Sequence, residues 1–145
     1  MEIPTNMNAT ILWTSLSLGG LGLFTTFVAH ADIGFVSVAW ATMFVTLAIQ
    51  AGHSLSKDTA LKIAAGVMIG VGGLAGGIKV ANTYFAYTGF GTIPAMLANA
   101  GTNATFTYIV GRAAAKTFLS MNALDSVEKI ITTILQFLSS VGGDD

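Results

Sequence analysis

Residues 63–78, IAAGVMIGVGGLAGGI, form an uncharged run between Lys62 and Lys79, and six of the sixteen residues are glycine. Four of these glycines recur at intervals of four, three and four residues: Gly66, Gly70, Gly73 and Gly77. On an α-helix this spacing keeps the four within a stripe of roughly 60°, with Gly72 and Gly76 near the opposite side. Glycine in a water-exposed helix costs about 1 kcal/mol against alanine, whereas in a close interface it lets two helix backbones approach. Because the intervening residues are apolar, unlike those of a flexible linker, the run predicts a helix that packs through glycine.

The distribution of charge predicts a membrane protein. Charged residues make up 9% of the 145 residues and hydrophobic residues 53%, against about 25% charged residues in a typical soluble domain. Four stretches contain no charged residue: 3–31, 33–56, 63–78 and 80–111. Since about 20 mostly apolar residues span a bilayer, we expect one all-α, membrane-embedded domain over residues 1–145. Its predicted spans are near residues 9–28, 33–51, 63–88 and 93–119.

Most of the basic residues fall on one side of this predicted topology. If four helices span the bilayer, five of the six basic residues lie on the same side of the membrane: Lys57, Lys62, Arg112, Lys116 and Lys129. By the positive-inside rule, we expect an integral membrane protein with both termini in the cytoplasm. The alternative is that the first apolar run is a secretory signal cleaved at Ala29-His30-Ala31. That run lacks the positively charged start of such signals, so we expect it to be retained.

The composition excludes several classes of function. A net charge of −1 and scattered basic residues provide no footprint for nucleic acid. The chain contains no cysteine, which excludes disulfides and thiolate chemistry. The sequence also contains no metal-ligand motif, paired carboxylates, phosphate loop or Ser-His-Asp pattern. We therefore expect no enzymatic activity, no catalytic or metal site, and no cofactor.

Polar residues mark several predicted helix ends. Asp32 opens the second apolar run and is predicted to cap it through backbone N–H groups, with a buried functional carboxylate as the alternative. Gly52 is predicted to close that helix and Ser56 to cap the next one. His53, in the short connection between them, has no second metal ligand nearby and is predicted to be solvated.

A second stripe of small residues predicts the partner of the glycine-rich helix. It follows the same spacing in the fourth predicted helix: Ala100, Ala104, Thr107 and Gly111. Residues 89–92, GFGT, break the chain between the two helices. The two are therefore predicted to form a close antiparallel hairpin, with Gly70 and Gly73 against the second stripe. Asn99 and Asn103 lie beside that stripe and are predicted to hydrogen-bond between helices, with a pore lining as the alternative.

The C-terminal region, about residues 125–140, predicts an amphipathic helix. Asp125 and Glu128 have the spacing of a capping box. Apolar residues recur on one helical face: Val127, Ile130, Ile131, Ile134, Leu135 and Leu138. We expect this face, and Ile131 and Leu135 in particular, to contact a membrane surface or a partner.

The order of features between about residues 31 and 119 carries a family resemblance. Asp32 opens an apolar helix, and LSKD at 55–58 follows Gly52; the glycine-rich helix, GFGTIP at 89–94 and NATFTYIVGRA at 103–113 come next. This order resembles the YcjF-like membrane-associated domain of unknown function, a helical type sometimes attached to Era-type GTPases. The likeness covers roughly 60% of the chain and implies an all-helical, membrane-linked fold. The prolines that commonly precede the family's Asp are absent, and so is a GTPase phosphate loop. Because the role of the family is not settled, the resemblance adds little about activity.

The expected function is that of a small scaffold or assembly subunit that acts through glycine-mediated helix packing. One alternative is a homo-oligomeric pore or a pilus-like or holin-like assembly. Another is a soluble helical subunit covered by partners in a larger complex. The expected partners are membrane lipid and either a second copy of the chain or another protein.

Overall fold

The computed structural model describes residues 2–24, 31–70 and 107–139, and every regular element in these segments is an α-helix. Helix α1 spans Thr5–Phe24 and α2 spans Ala31–Gln50. Helix α3 is described over residues 57–70 and α4 over residues 107–120, and α5 spans Val127–Ser139. The predicted all-α class is confirmed. The predicted turn at 89–92 lies outside the described residues.

Helix α1 begins earlier than predicted because Pro4 suits the residue before a helix. The Pro4 carbonyl accepts hydrogen bonds from the backbone N–H groups of Met7 and Asn8, at 3.1 and 3.0 Å. The N–H that proline lacks would have no intrahelical partner at this position. Met7 is fully buried and Ile3 nearly so. Ile3 and Met7 therefore join the core, ahead of residue 9, where the first predicted span begins.

Helix α2 ends at the glycine predicted to close it. Gly52 has a φ of +91°, in the left-handed region that glycine adopts readily. Its N–H donates to the Ile49 carbonyl at 3.0 Å, and the His53 N–H donates to the Ala48 carbonyl at 2.8 Å. These two bonds define a Schellman motif. The His53 side chain is half-buried, with Nε2 2.9 Å from the Phe118 carbonyl oxygen of α4, so the prediction of a solvated histidine is wrong.

Serine hydroxyls cap α3 and α5. Ser56 Oγ accepts the backbone N–H of Thr59 at 3.1 Å, which confirms the predicted cap. At α5, Ser126 Oγ accepts the backbone N–H of Lys129 at 3.3 Å. The cap of α5 is therefore Ser126, one residue after Asp125. The residue three positions on is Lys129, so the predicted capping box of Asp125 and Glu128 is wrong.

Helices α1 and α2 form an antiparallel pair, and α4 packs on it. The Gln50 side-chain amide, at the end of α2, donates to the Thr10 hydroxyl at 3.1 Å, near the start of α1. Residues further along α1 therefore face residues earlier in α2. The indole N–H of Trp40 in α2 donates to Thr107 Oγ1 in α4 at 2.9 Å, and both side chains are buried. This bond fixes α4 against the pair.

The apolar side chains of the charge-free runs form an intramolecular core. Each described helix contributes at least one large, fully buried side chain: Met7, Ile11, Met43, Phe44, Leu47, Ile63, Val67, Val110, Phe118, Ile130 and Ile134. Within the described segments, no helix is both long and apolar enough to cross a membrane. The predicted integral membrane location, with both termini in the cytoplasm, is therefore wrong. The physical reason is that low charge suits residues buried in a protein core as well as residues buried in lipid. Much of the third and fourth predicted spans, 63–88 and 93–119, lies outside the described residues.

Candidate functional site formed by helix-packing faces

Side chains of α5 pack against the glycines of α3. A methyl group added at Gly70 would lie 2.7 Å from Leu135 Cδ2 and 3.0 Å from its Cδ1. A methyl group added at Gly66 would meet Ile131, whose Cγ1 would be 3.0 Å away. The two glycines are one helical turn apart, and so are the two side chains that meet them. Successive turns of α5 therefore pack against successive glycines of α3.

This α3–α5 contact gives Ile131 and Leu135 a partner within the chain. The sequence pattern predicts that these residues contact a membrane surface or another molecule. In the structure both are half-buried, and the neighbouring Ile130 and Ile134 are almost completely buried. The structure thus places Ile131 and Leu135 in an intramolecular interface, because α5 folds back onto the glycine-rich helix.

Gly111 of α4 lies where three helices meet. A Cβ at this position would be 2.8 Å from Ile11 Cγ2 of α1 and 3.1 Å from Met43 Sδ of α2. One turn earlier, Thr107 accepts the hydrogen bond from Trp40. The described part of the second small-residue stripe therefore faces α1 and α2, while Gly70 faces Leu135 of α5. The prediction that Gly70 packs against this stripe is wrong for Thr107 and Gly111.

The other predicted packing and polar residues lie outside the described segments: Gly73, Gly77, Asn99, Ala100, Asn103 and Ala104. Asp32 is the second residue of α2, within its first turn, but its side chain is not among those described. The roles of these residues stay predictions.

Helices α1 and α2 each carry exposed apolar side chains, which together are called here the outer face. It comprises five side chains: Leu12 (50% exposed), Trp13 (75%), Leu16 (65%), Val38 (48%) and Ile49 (61%). On α1 these residues lie opposite Met7 and Ile11, which are fully buried. The sequence pattern did not separate the two sides, because apolar residues are spread around the whole circumference of α1. The available signal was the helical spacing of Leu12, Trp13 and Leu16, offset from that of the core positions.

The outer face has no charged group and few free hydroxyls. Residues 5–24 and 33–50 contain no Asp, Glu, Lys or Arg. Three exposed hydroxyls donate to carbonyls of their own helix, Ser17 to Trp13 at 2.8 Å, Thr42 to Val38 at 3.0 Å and Thr46 to Thr42 at 3.0 Å. A hydroxyl bonded in this way does not require a donor or acceptor from a partner. The outer face thus offers apolar area and no titratable group.

Charged groups in the described segments show no metal-binding arrangement. No group of three or more His, Asp or Glu side chains there is placed to hold a metal ion. The Arg112 guanidinium lies 5.8 Å from the centroid of the Tyr108 ring, one turn earlier in α4. This is a cation–π contact within a single helix, and its role is structural.

Comparison of the chain with protein-family models, with curated proteins and with solved structures yields no match. The resemblance to the YcjF-like domain therefore stays a prediction.

Proposed function

We propose that this chain is a non-enzymatic assembly subunit that binds another protein through the outer face of α1 and α2. The observation that most supports the proposal is the exposure of Trp13, 75%, beside Leu12 and Leu16 on a helix without charge. Large exposed apolar patches on a folded chain mark sites where other molecules bind. Trp13 also lies between Leu12 and Leu16, and a central aromatic residue is the usual anchor of a protein interface.

The size of the outer face supports an interaction surface. Large side chains offer about 150–250 Å² each, so the five residues, at half to three-quarters exposure, present on the order of 600 Å². The largest apolar patch on a typical monomer is about 300–600 Å². The exposed apolar area summed over the two helices is therefore comparable with that of a large surface patch.

The chemistry of the outer face favours a protein over a lipid surface. Helices that lie on membranes carry Lys or Arg beside the apolar side, where these residues meet anionic headgroups. Neither α1 nor α2 contains Lys or Arg. A partner that placed its own charge against the outer face would lose hydration without gaining an opposite charge. We infer that the partner surface is apolar and uncharged.

Within one protomer, we propose that the glycine-rich helix acts as the packing scaffold that supports the outer face. Gly66 and Gly70 accommodate α5, and Gly111 accommodates Ile11 of α1. The predicted hairpin between the remainder of α3 and α4 is part of this proposal. The pore alternative depends on Asn99 and Asn103, and no described contact favours it.

Cysteine labelling tests whether a protein covers the outer face. The natural chain has no cysteine, so Leu16→Cys introduces a single thiol on the outer face. Thr132→Cys introduces a matched control on the exposed polar side of α5. Each full-length variant is labelled with a maleimide in the cells that produce the chain, and each rate is divided by that of the urea-unfolded protein. We expect position 16 to react about tenfold more slowly than position 132, as it would if roughly nine in ten chains were bound.

Two outcomes would contradict the proposed function. Equal normalised rates at positions 16 and 132 would show that the outer face is free in the cell. Protection of position 16 that a mild detergent abolishes, leaving a free single protomer, would assign the face to lipid.

A further inference from the structure

We propose that α5 is a latch, which detaches from α3 as a unit by a change of direction in residues 121–126 while the other described helices stay in place. Detachment uncovers the side of α3 that carries Gly66 and Gly70, together with the apolar side of α5 that carries Ile131 and Leu135. The outer face takes no part in this motion. Three features of α5 support a latch: its burial, the segment before it and the chemistry of its contact with α3.

Helix α5 has the fewest buried side chains of the described helices. Among residues 127–138, only Ile130 and Ile134 are buried. In α4, by contrast, six consecutive residues, 113–118, are all buried. Parts of a fold with few buried apolar side chains open locally at a lower free energy than the core does. Separation of α5 from the core therefore exposes less apolar surface than separation of α4 would.

The segment before α5 can change direction without breaking a backbone hydrogen bond. Residues 121–126 form no regular element, and within the described segments no backbone hydrogen bond involves residues 121–125. Asn122 and Ala123 in this segment are exposed. The loop after α2 is different, because the N–H groups of Gly52 and His53 donate to carbonyls of α2. Of these two connections, only the one before α5 has the freedom of a hinge.

The described contact between α5 and α3 is apolar. Ile131 and Leu135 occupy the space beside Gly66 and Gly70, and separating them breaks no hydrogen bond. The Thr132 hydroxyl donates to a carbonyl of α5 itself, at 2.8 Å. Side-chain hydrogen bonds join the other described helices to α2: Gln50 to Thr10 of α1, Ser37 to Met68 of α3 at 3.4 Å, and Trp40 to Thr107 of α4.

Hydrogen exchange of the natural full-length chain tests detachment. An isolated helix of 13 residues is marginally stable in water, so the amides of a detached α5 exchange with solvent. Relative to their rates in the unfolded chain, we expect the amides of residues 131–135 to exchange about tenfold or more faster than those of residues 113–118. Their exchange should also rise less steeply with urea, because local opening exposes less surface than global unfolding. Equal rates and equal urea slopes for the two sets would overturn the latch.

A disulfide that holds α5 closed provides the second readout. A carbon added at Gly66 lies 3.0 Å from Ile131 Cγ1. Because Cγ1 is bonded to Cβ, the two Cβ atoms lie within the about 4.5 Å that a disulfide requires. The natural chain has no cysteine, so Gly66→Cys combined with Ile131→Cys introduces a single pair of thiols, and the reduced form of this variant is the matched control.

Oxidation of the double variant should slow the exchange of residues 131–135 to the rate of residues 113–118, since only global unfolding then exposes them. If residues 131–135 exchange as fast in the oxidised form as in the reduced form, their exchange does not proceed by detachment and the latch is refuted. Failure of the two thiols to form a disulfide would contradict the α3–α5 contact itself and would also refute it.

Discussion

Replacing Gly111 with alanine should destabilise the chain, whereas the same replacement at Gly70 should leave its stability nearly unchanged. At Gly111 the new methyl carbon would lie 2.8 and 3.0 Å from Cγ2 and Cγ1 of Ile11 and 3.1 Å from Met43 Sδ. Both Ile11 atoms are attached to a β-branched carbon, which has one strongly preferred rotamer in a helix. Relief therefore requires movement of α1 or α4 as a whole. At Gly70 the close atoms are the terminal methyl groups of half-buried Leu135, which can rotate away.

The expected magnitudes follow from two opposing contributions. A glycine-to-alanine change in a helix interior adds about 1 kcal/mol to the stability of the folded chain. Overpacking a core typically costs about 1–3 kcal/mol, and the upper part of that range applies at Gly111 because a whole helix must move. We expect Gly111→Ala to lower the free energy of unfolding by about 1–2 kcal/mol. For Gly70→Ala we expect a change between zero and a gain of about 1 kcal/mol.

Urea unfolding followed by far-UV circular dichroism measures the difference between the two variants. The two free energies of unfolding can be compared directly if the free energy falls with urea concentration at the same slope for both variants. A separation of about 1.5 kcal/mol would also shift the melting temperature by roughly 3–6 °C. If Gly111→Ala proves as stable as Gly70→Ala, the three-helix contact at Gly111 is not tight, and the reasoning from Ile11 is refuted.

Three further predictions concern hydrogen bonds and backbone geometry. Trp40→Phe removes the donor to the buried Thr107 hydroxyl and should lower the free energy of unfolding in urea by about 1–3 kcal/mol. If Thr107→Val costs as much in the Trp40→Phe background as it does in the natural chain, the two residues are not coupled. Gly52→Ala should cost about 1–2 kcal/mol from the left-handed backbone alone, because no atom lies within 4 Å of the added methyl group; an unchanged thermal midpoint would contradict the assigned φ. Ser126→Ala should lower stability by about 1 kcal/mol through loss of the α5 cap, and a larger effect of Asp125→Ala would reassign that cap.

Local features of the fold could be predicted from the sequence because they depend on few neighbouring residues. The left-handed turn at Gly52 requires only that the residue has no Cβ. The cap at Ser56 requires a hydroxyl three residues before a free backbone N–H. Neither feature depends on how distant segments pack, so the sequence pattern was sufficient for both.

The surface that each apolar stripe packs against could not be predicted in the same way. The stripe through Ile131 and Leu135 has the same spacing whether it meets lipid, another protein or a helix of its own chain. Only the folding back of α5 onto Gly66 and Gly70 distinguishes these possibilities. The outer face around Trp13 was missed for the opposite reason, because an apolar surface left exposed looks in the sequence like part of the core.

The contact between His53 and α4 gives this chain a spectroscopic reporter of its own. A carbonyl oxygen only accepts hydrogen bonds, so the neutral His53 ring bound to the Phe118 carbonyl must carry its proton on Nε2. The nitrogen chemical shifts of an imidazole distinguish its two tautomers, so NMR can follow this state directly. The sequence contains two histidines, and His30→Gln leaves a single ring to observe. A hydrogen-bonded Nε2–H exchanges with water more slowly than a solvated one, so loss of its proton resonance would reveal detachment of the end of α4 from the loop after α2, even in a variant whose helix content is unchanged.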